Sequence, residues 1–213
     1  MVSKTFSGLF ITFEGGEGVG KSTQADLLKS YLEGKGVEVY LFREPGGTEI
    51  GEELRRILLD RKDRLPPLTE LFLFIASRRQ LVKEKIEPAL KENKAVICDR
   101  FMDSTTAYQG YGCGIDIELV ERLNSLVVGE LSPNLTFVLD TDKPLGFKME
   151  GKDRIEEENH YFHQKVREGY LEIARKNPER VKVISAEGTI EEIHQKIRGI
   201  VERYLLNSKY KPL

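Results

Sequence analysis

Between Leu9 and Thr23 the chain sets down an apolar strand, a glycine-rich turn and the start of a helix, and no other feature constrains its fold so strongly. Leu9, Phe10, Ile11, Thr12 and Phe13 are too few for a helix and are followed by glycines, so they read as a buried strand. Gly15, four further residues, Gly20, Lys21 and Ser22 then fill every fixed position of G-x-x-x-x-G-K-[ST]. That spacing serves phosphate binding. Its glycines let successive backbone N–H groups turn inward, and a helix starting near Gly20 adds its positive dipole end. Lys21 is expected to reach the β- and γ-phosphates of a bound nucleotide, and the Ser22 hydroxyl to sit on Mg²⁺. The whole loop, Gly15, Gly16, Glu17, Gly18, Val19, Gly20, Lys21, Ser22 and Thr23, is the expected cradle; a chance glycine turn would lack the strand before it and the helix after it.

Length and charge bound the rest. The 213 residues suffice for one α/β domain and are few for two, so a single domain is read over residues 1–213. A formal net charge of −2 argues against a general nucleic-acid surface, which needs a basic excess. No apolar run reaches membrane-spanning length and no charged-then-apolar leader opens the chain, so a cytoplasmic protein is expected. Cys98 and Cys113 lack C-x-x-C spacing and read as buried, reduced thiols.

Beyond the loop, apolar residues at Ala25, Leu28 and Leu32 mark a helix from Lys21 to Lys35, and Val37 to Phe42 a second strand. A strand, helix and strand at this spacing imply a parallel sheet. Arg43 to Thr48 follow, an arginine and a flexible turn at a strand's carboxyl end, where open α/β sheets bind ligands. Glu53 to Leu59 reads as helix, and Leu68 to Lys91 as one long helix with Pro88 kinking its last turn. Phe74 and Arg78, four apart, share a face that could hold a ligand between a ring and a planar donor fork. Ala95 to Cys98 is a third strand with Asp99 and Arg100 at its end, an acid for Mg²⁺ beside a cation for a second phosphate. Phe101, Ser104, Thr105, Tyr108, Gln109 and Tyr111 then crowd hydroxyl, amide and aromatic groups ahead of a helix over Ile115 to Val128. Leu135 to Leu139 and Val181 to Ser185 complete five strands, separated by a charged lid at about 143–158 with Lys148, Lys152 and Arg154, and by a helix marked by Phe162, Val166, Tyr170 and Ile173. Thr189 and Glu192 form a capping-box pair that opens the last helix. His160 and His163 have no third ligand at a sensible spacing, so no metal site is read there.

Taken together, these motifs resemble the thymidylate kinase family, whose members phosphorylate dTMP with ATP. The likeness rests on Phe13-Glu14-Gly15 with Glu17 to Thr23, on Arg43-Glu44-Pro45-Gly46-Gly47-Thr48, on Asp99-Arg100-Phe101 with Ser104, Thr105, Ala107, Tyr108 and Gln109, and on Arg154 with Glu156 and Arg167 with Tyr170. It implies a three-layer P-loop kinase fold with a five-stranded parallel sheet in the order 2-3-1-4-5, and a homodimer. It further implies that Glu17 meets the sugar 3′-hydroxyl, Phe74 stacks on thymine and Arg78 bonds the base edge. Arg43 and Arg100 would grip the monophosphate, Ser104, Thr105 and Gln109 would line the base pocket, and Tyr108 would lie against the deoxyribose. Asp99 would hold Mg²⁺ through its water shell. Some family members carry an arginine inside the P-loop; this chain has Gly18 there, which sends the catalytic charge to the lid and to Arg154. Three other readings stand beside this one: a kinase for another nucleoside monophosphate, a switch GTPase, for which no N-K-x-D element is present, and a nucleic-acid-dependent ATPase, which would want a basic surface.

Overall fold

The computed structural model describes residues 6–60, 65–142, 155, 158–208 and 210. Five strands, β1 (Leu9–Gly15), β2 (Val39–Arg43), β3 (Ala95–Asp99), β4 (Leu135–Asp140) and β5 (Val181–Ser185), form one parallel sheet in the order β2-β3-β1-β4-β5. This is the order that the family resemblance implies. Parallel neighbours need crossovers, and helices supply them: α1 (Lys21–Glu33), α2 (Glu49–Leu59), α3 (Pro67–Leu81), α4 (Glu87–Lys91), α5 (Met102–Thr105), α6 (Ile117–Val128), α7 (His160–Lys176) and α8 (Ile190–Asn207).

The central strand shows how side-chain alternation divides the core. Leu9, Ile11 and Phe13 point to one face and pack with Leu28 and Leu32 of α1 and Ile193, Ile197 and Val201 of α8. Phe10 points to the other, with Leu71 and Ile75 of α3 and Val120 and Val127 of α6. On that same second face the strand turns polar toward its carboxyl end. Thr12 and Thr136 share a hydrogen bond of 2.7 Å, and Arg180, paired with Asp103, also donates to Thr136. Glu14 is the last inward residue of this row and is wholly buried.

Several boundaries differ from the sequence reading for identifiable reasons. The second strand starts at Val39 and α2 starts at Glu49, capped by the Thr48 hydroxyl, which accepts from the Gly51 N–H at 3.0 Å. Instead of one helix kinked at Pro88, α3 passes through a π-helical turn, Val82–Ile86, where the Glu87 N–H donates to the Val82 carbonyl five residues back. A proline ring crowds the carbonyl four residues before it, here Glu84, and the widened turn takes that residue out of the regular ladder. Residues 106–112, given no secondary structure from the sequence, form a second π-helical turn, continuous with α5. The capping box of Thr189 and Glu192 forms as expected. Cys98 is buried and Cys113 partly exposed, and neither is in a disulfide. The lid at 143–158 falls almost wholly outside the described residues.

Gly15 ends β1 with φ of 128°, and a Cβ built on it would lie 2.3 Å from the backbone carbonyl oxygen of Leu139 on the neighbouring strand. Neither the dihedral nor the strand can yield cheaply. Gly15→Ala is therefore expected to cost about 2–6 kcal/mol from backbone strain and overpacking, read as a drop in the urea midpoint with unchanged slope.

Candidate active site

The carboxyl ends of β1, β2 and β3 open into a cavity of about 420 Å³. Its walls come from the glycine loop and the α1 N-terminus, the turn after β2, α2, α3, and the segment following β3. Parallel pairing of β1 with β3 sets Phe13 opposite Asp99, so the two motif-bearing strand ends release their chains side by side.

Gly20 caps α1 with φ of 91°, a conformation that glycine adopts without penalty. Lys21, the first residue of that helix, is buried and donates from Nζ to the Gly16 carbonyl at 2.5 Å. Burial, then the nearby Arg100 charge, lowers its pKa from 10.5 to about 8, against the opposing pull of Glu17, Asp99 and Glu14. Ser22 Oγ donates to Asp99 Oδ2 at 2.5 Å, while Asp99 Oδ1 is buried and has no hydrogen-bond partner among the described residues. An acceptor left over beside a hydroxyl is the donor set a hard divalent cation or its waters would complete. Among the described residues there is no separate cluster of three or more His, Cys, Asp or Glu able to hold a metal.

Arg100 is the hub of the second half. Its backbone is left-handed, φ 68°, with its N–H donating to the Phe13 carbonyl at 2.9 Å. The guanidinium pairs with Glu17 at 2.6 Å, reaches the Gly15 carbonyl at 3.1 Å, and touches the hydroxyls of Ser104, Tyr108 and Tyr170, each at 3.3 Å. Tyr108 donates to the same Glu17 oxygen at 2.6 Å. Burial alone would raise the Glu17 carboxyl, but the charges of Arg100 and Lys21 and the Tyr108 hydrogen bond hold it at about 2, so it is ionised at neutral pH. Burial drives the Tyr108 hydroxyl well above its ordinary range, which keeps it a donor.

Most of the sequence-selected residues of the second half meet in this cavity: Arg43, Phe74, Arg78, Asp99, Arg100, Ser104, Thr105, Tyr108 and Gln109 all line it, whereas Phe101 packs in the core and Tyr111 is not among the lining residues. From the loop, Glu17, Gly18, Gly20, Lys21, Ser22 and Thr23 line it too. Gly15, Gly16 and Val19 do not: Gly15 is the strand end, Gly16 contributes a carbonyl to Lys21, and Val19 turns into the core. Arg43 is largely exposed and pairs with Glu52 at 3.2 Å. Arg78, in contrast, is only 1% exposed; its guanidinium donates to Glu44, Asn124 and the Phe101 carbonyl. Arg154 lies outside the described residues.

Four residues that shape this site carry no site role in the sequence reading, although Glu14, Glu44 and Tyr170 stand in its motifs. Arg55 lines the cavity from α2 and donates to the Pro45 carbonyl at 2.9 Å, yet nothing local distinguishes it from its neighbour Arg56 on a charged helix. Glu44, buried against Arg78, leads into a cis Glu44–Pro45 peptide that the sequence does not announce. Glu14 accepts from the Phe101 N–H at 2.8 Å, from Ser104 at 2.5 Å and from Tyr170 at 3.2 Å. Tyr170 arrives from α7, far along the chain, and only the fold brings it to Arg100.

Comparison with known proteins decides the family. The sequence model of thymidylate kinase matches residues 13–197, most of the chain. The chain belongs to the thymidylate kinase family. Thymidylate kinase from Kosmotoga olearia is 46% identical over 202 residues, covering 93% of this chain and 96% of that one. Thymidylate kinase from Chlorobium luteolum is 47% identical over 199 residues, covering 87% and 93%. Among solved structures, thymidylate kinase from Ehrlichia chaffeensis superimposes with a TM-score of 0.80 at 41% identity, covering 92% of this chain and 99% of that one.

Within the family site, Glu14 is the group whose protonation should be visible in stability. Burial, then the Asp103 charge, raises its pKa from 4.5 to about 8 despite the opposing Ser104 hydrogen bond and Arg100 charge. The folded chain thus holds a proton that the unfolded chain releases, so this stabilisation is complete below about pH 4.5 and lost as the pH rises through about 8. Glu14→Gln, which mimics the neutral acid, is expected to flatten the stability profile across that window by about 2–4 kcal/mol, measured by urea unfolding at pH 5 and pH 8.

Proposed function

We propose that this chain transfers the γ-phosphoryl group of ATP to dTMP, giving dTDP and ADP for dTTP synthesis. The observation that carries the reading is a single cavity walled on one side by a phosphate-binding loop with Lys21 and on the other by Arg100, Arg43 and the Phe74, Arg78 and Gln109 cluster. A donor and an acceptor phosphate each find cations there. A switch GTPase has no use for the second set.

In this mechanism Lys21 and the loop N–H groups hold the ATP phosphates, and Arg100 with Arg43 holds the dTMP phosphate. The acceptor oxygen is already anionic and needs no strong base, so catalysis comes from alignment and charge neutralisation. Ser22 and Asp99 would hold Mg²⁺, which supplies charge neutralisation on the ATP phosphates when bound. The uncommitted Asp99 Oδ1 supports that assignment. Glu17, ionised and already accepting from Tyr108, is suited to take a sugar 3′-hydroxyl proton as a hydrogen bond, and Tyr108 lies against the deoxyribose. Phe74 stacks on the base, with Ser104, Thr105, Gln109 and Arg78 around its rim. The protein works as one domain with a lid at about 143–158, in the cytoplasm, as a homodimer. Phe72 and Leu68 on α3 and Leu126 on α6, exposed by 54%, 49% and 75%, support the dimer.

The test is ADP production from ATP with dTMP, dUMP, UMP, dCMP, AMP and GMP. A clear lead for dTMP is expected, with dUMP about 10–200-fold poorer, since one methyl in a pocket is worth little more. A lead for any other nucleotide reassigns the substrate. Lys21→Ala is expected to lower turnover by about 10²-fold or more without unfolding the chain; near-normal turnover would remove the loop from the chemistry. Arg154→Ala is expected to lower kcat far more than it weakens dTMP binding, measured by comparing steady-state rates with direct titration; equal losses would make it a binding residue.

A further inference from the structure

Gln109 sits on the second π-helical turn and lines the cavity that Phe74 and Arg78 also line. An amide has two faces, a carbonyl that accepts and an NH₂ that donates, and a half-rotation of its last torsion exchanges them. In this chain the exchange is blocked. Gln109 Nε2 donates to Glu70 Oε1 at 2.8 Å, and both residues are buried, 2% and 5% exposed. A carboxylate accepts and does not donate, so the amide must turn its NH₂ toward Glu70; reversed, it would set oxygen against oxygen in a dry site. Glu70 lies one helical turn before Phe74 and two before Arg78 on α3, so one helix face carries the lock, the ring and the guanidinium.

We infer that Glu70 is a specificity-determining positioning residue: it fixes the Gln109 amide with its carbonyl available to the ligand and so selects a pyrimidine that carries N3–H beside a 4-oxo group. The inference rests on the proposed reading of the cavity as the nucleoside monophosphate site. Arg78 can only donate; it holds Glu44 through both Nε and Nη2 and also bonds Asn124 and the Phe101 carbonyl, which leaves one Nη1 donor of its five-donor fork for a ligand oxygen. Gln109 Oε1 can only accept. Thymine and uracil place N3–H and O4 next to each other and satisfy both. Cytosine reverses both, with an acceptor at N3 and a donor at the 4-amino group, and meets like with like twice. Sites that hydrogen-bond a ligand edge can reject the mismatched analogue by about 10⁴–10⁵. Were the amide free to turn over, its NH₂ would meet cytosine N3, and the Gln109 share of that rejection would vanish.

The experiment measures kcat/KM and equilibrium binding for dTMP and dCMP in the wild-type chain, Glu70→Gln, Gln109→Leu and the double variant. Glutamine at 70 can either accept or donate, so it pairs with both orientations of Gln109. The dTMP-to-dCMP ratio is expected to contract at least tenfold in Glu70→Gln, by a loss for dTMP together with a gain for dCMP, while ATP affinity is unchanged. In the Gln109→Leu background the same substitution is expected to leave the ratio where Gln109→Leu put it. Equal losses for both nucleotides, an unchanged ratio, or a ratio effect that persists without Gln109 would overturn the inference. Should Glu70→Gln not fold, Glu70→Asp withdraws the carboxylate by one methylene and is expected to give the same contraction. A wild-type chain that binds neither nucleotide overturns the proposed function and this inference with it; one that phosphorylates dTMP yet shows an unchanged ratio in the variants overturns the inference alone.

Discussion

The in-register parallel pairing of β1 with β3 is the constraint on which everything at the site depends. With Phe13 opposite Asp99, β3 ends beside a strand that runs two residues further to Gly15, and the Arg100 N–H can reach back to the Phe13 carbonyl. That bond holds Arg100 in its left-handed turn, and the turn aims the guanidinium across the glycine loop at Glu17 and the Gly15 carbonyl. Two charges that would each be costly in a dry cleft become tolerable because each is the other's partner. A slip of one residue in the pairing would reverse the face of every side chain on the strand and dissolve the ion pair.

Much of this was readable from the sequence, because it is written in local patterns. The glycine loop, the helix after it, the capping box of Thr189 and the acid and arginine that end the third strand each declare themselves within a few residues. Lys21, Ser22, Asp99 and Arg100 were legible for that reason. Glu14, Glu70 and Glu44 were not, since in a chain that is 32% charged a glutamate reads as surface, and only the packing of distant helices buries these three. Tyr170 stood in the motif set, but its reach to Arg100 depends on how α7 lies across the sheet. The π-helical turns left no local mark, because a widened turn is imposed by what it packs against and not by propensity.

Arg78 and Glu44 illustrate how burial converts an ordinary ion pair into a framework. Exposed, such a pair contributes little; at 1% and 4% exposure it fixes the turn after β2 to α3 at a defined distance, and the Asn124 contact ties both to α6. Burial pushes the Glu44 carboxyl upward while Arg78 pulls it down, so the pair holds only as a pair. One wall of the cavity is thereby built from groups whose donors are already oriented before any ligand arrives.

The turn at Thr106–Gly112 has a consequence for how the site could change over time. It carries Tyr108 and Gln109, and it is continuous with the short helix that bears Ser104 and Thr105. Removing one residue there would restore a regular helix, a change the backbone itself would welcome. Every residue beyond the deletion would rotate by about 100°, carrying some of these side chains out of the wall. Local helix stability and the shape of the cavity thus pull in opposite directions at this point, and the length of the segment cannot drift by single residues while the cavity keeps its lining.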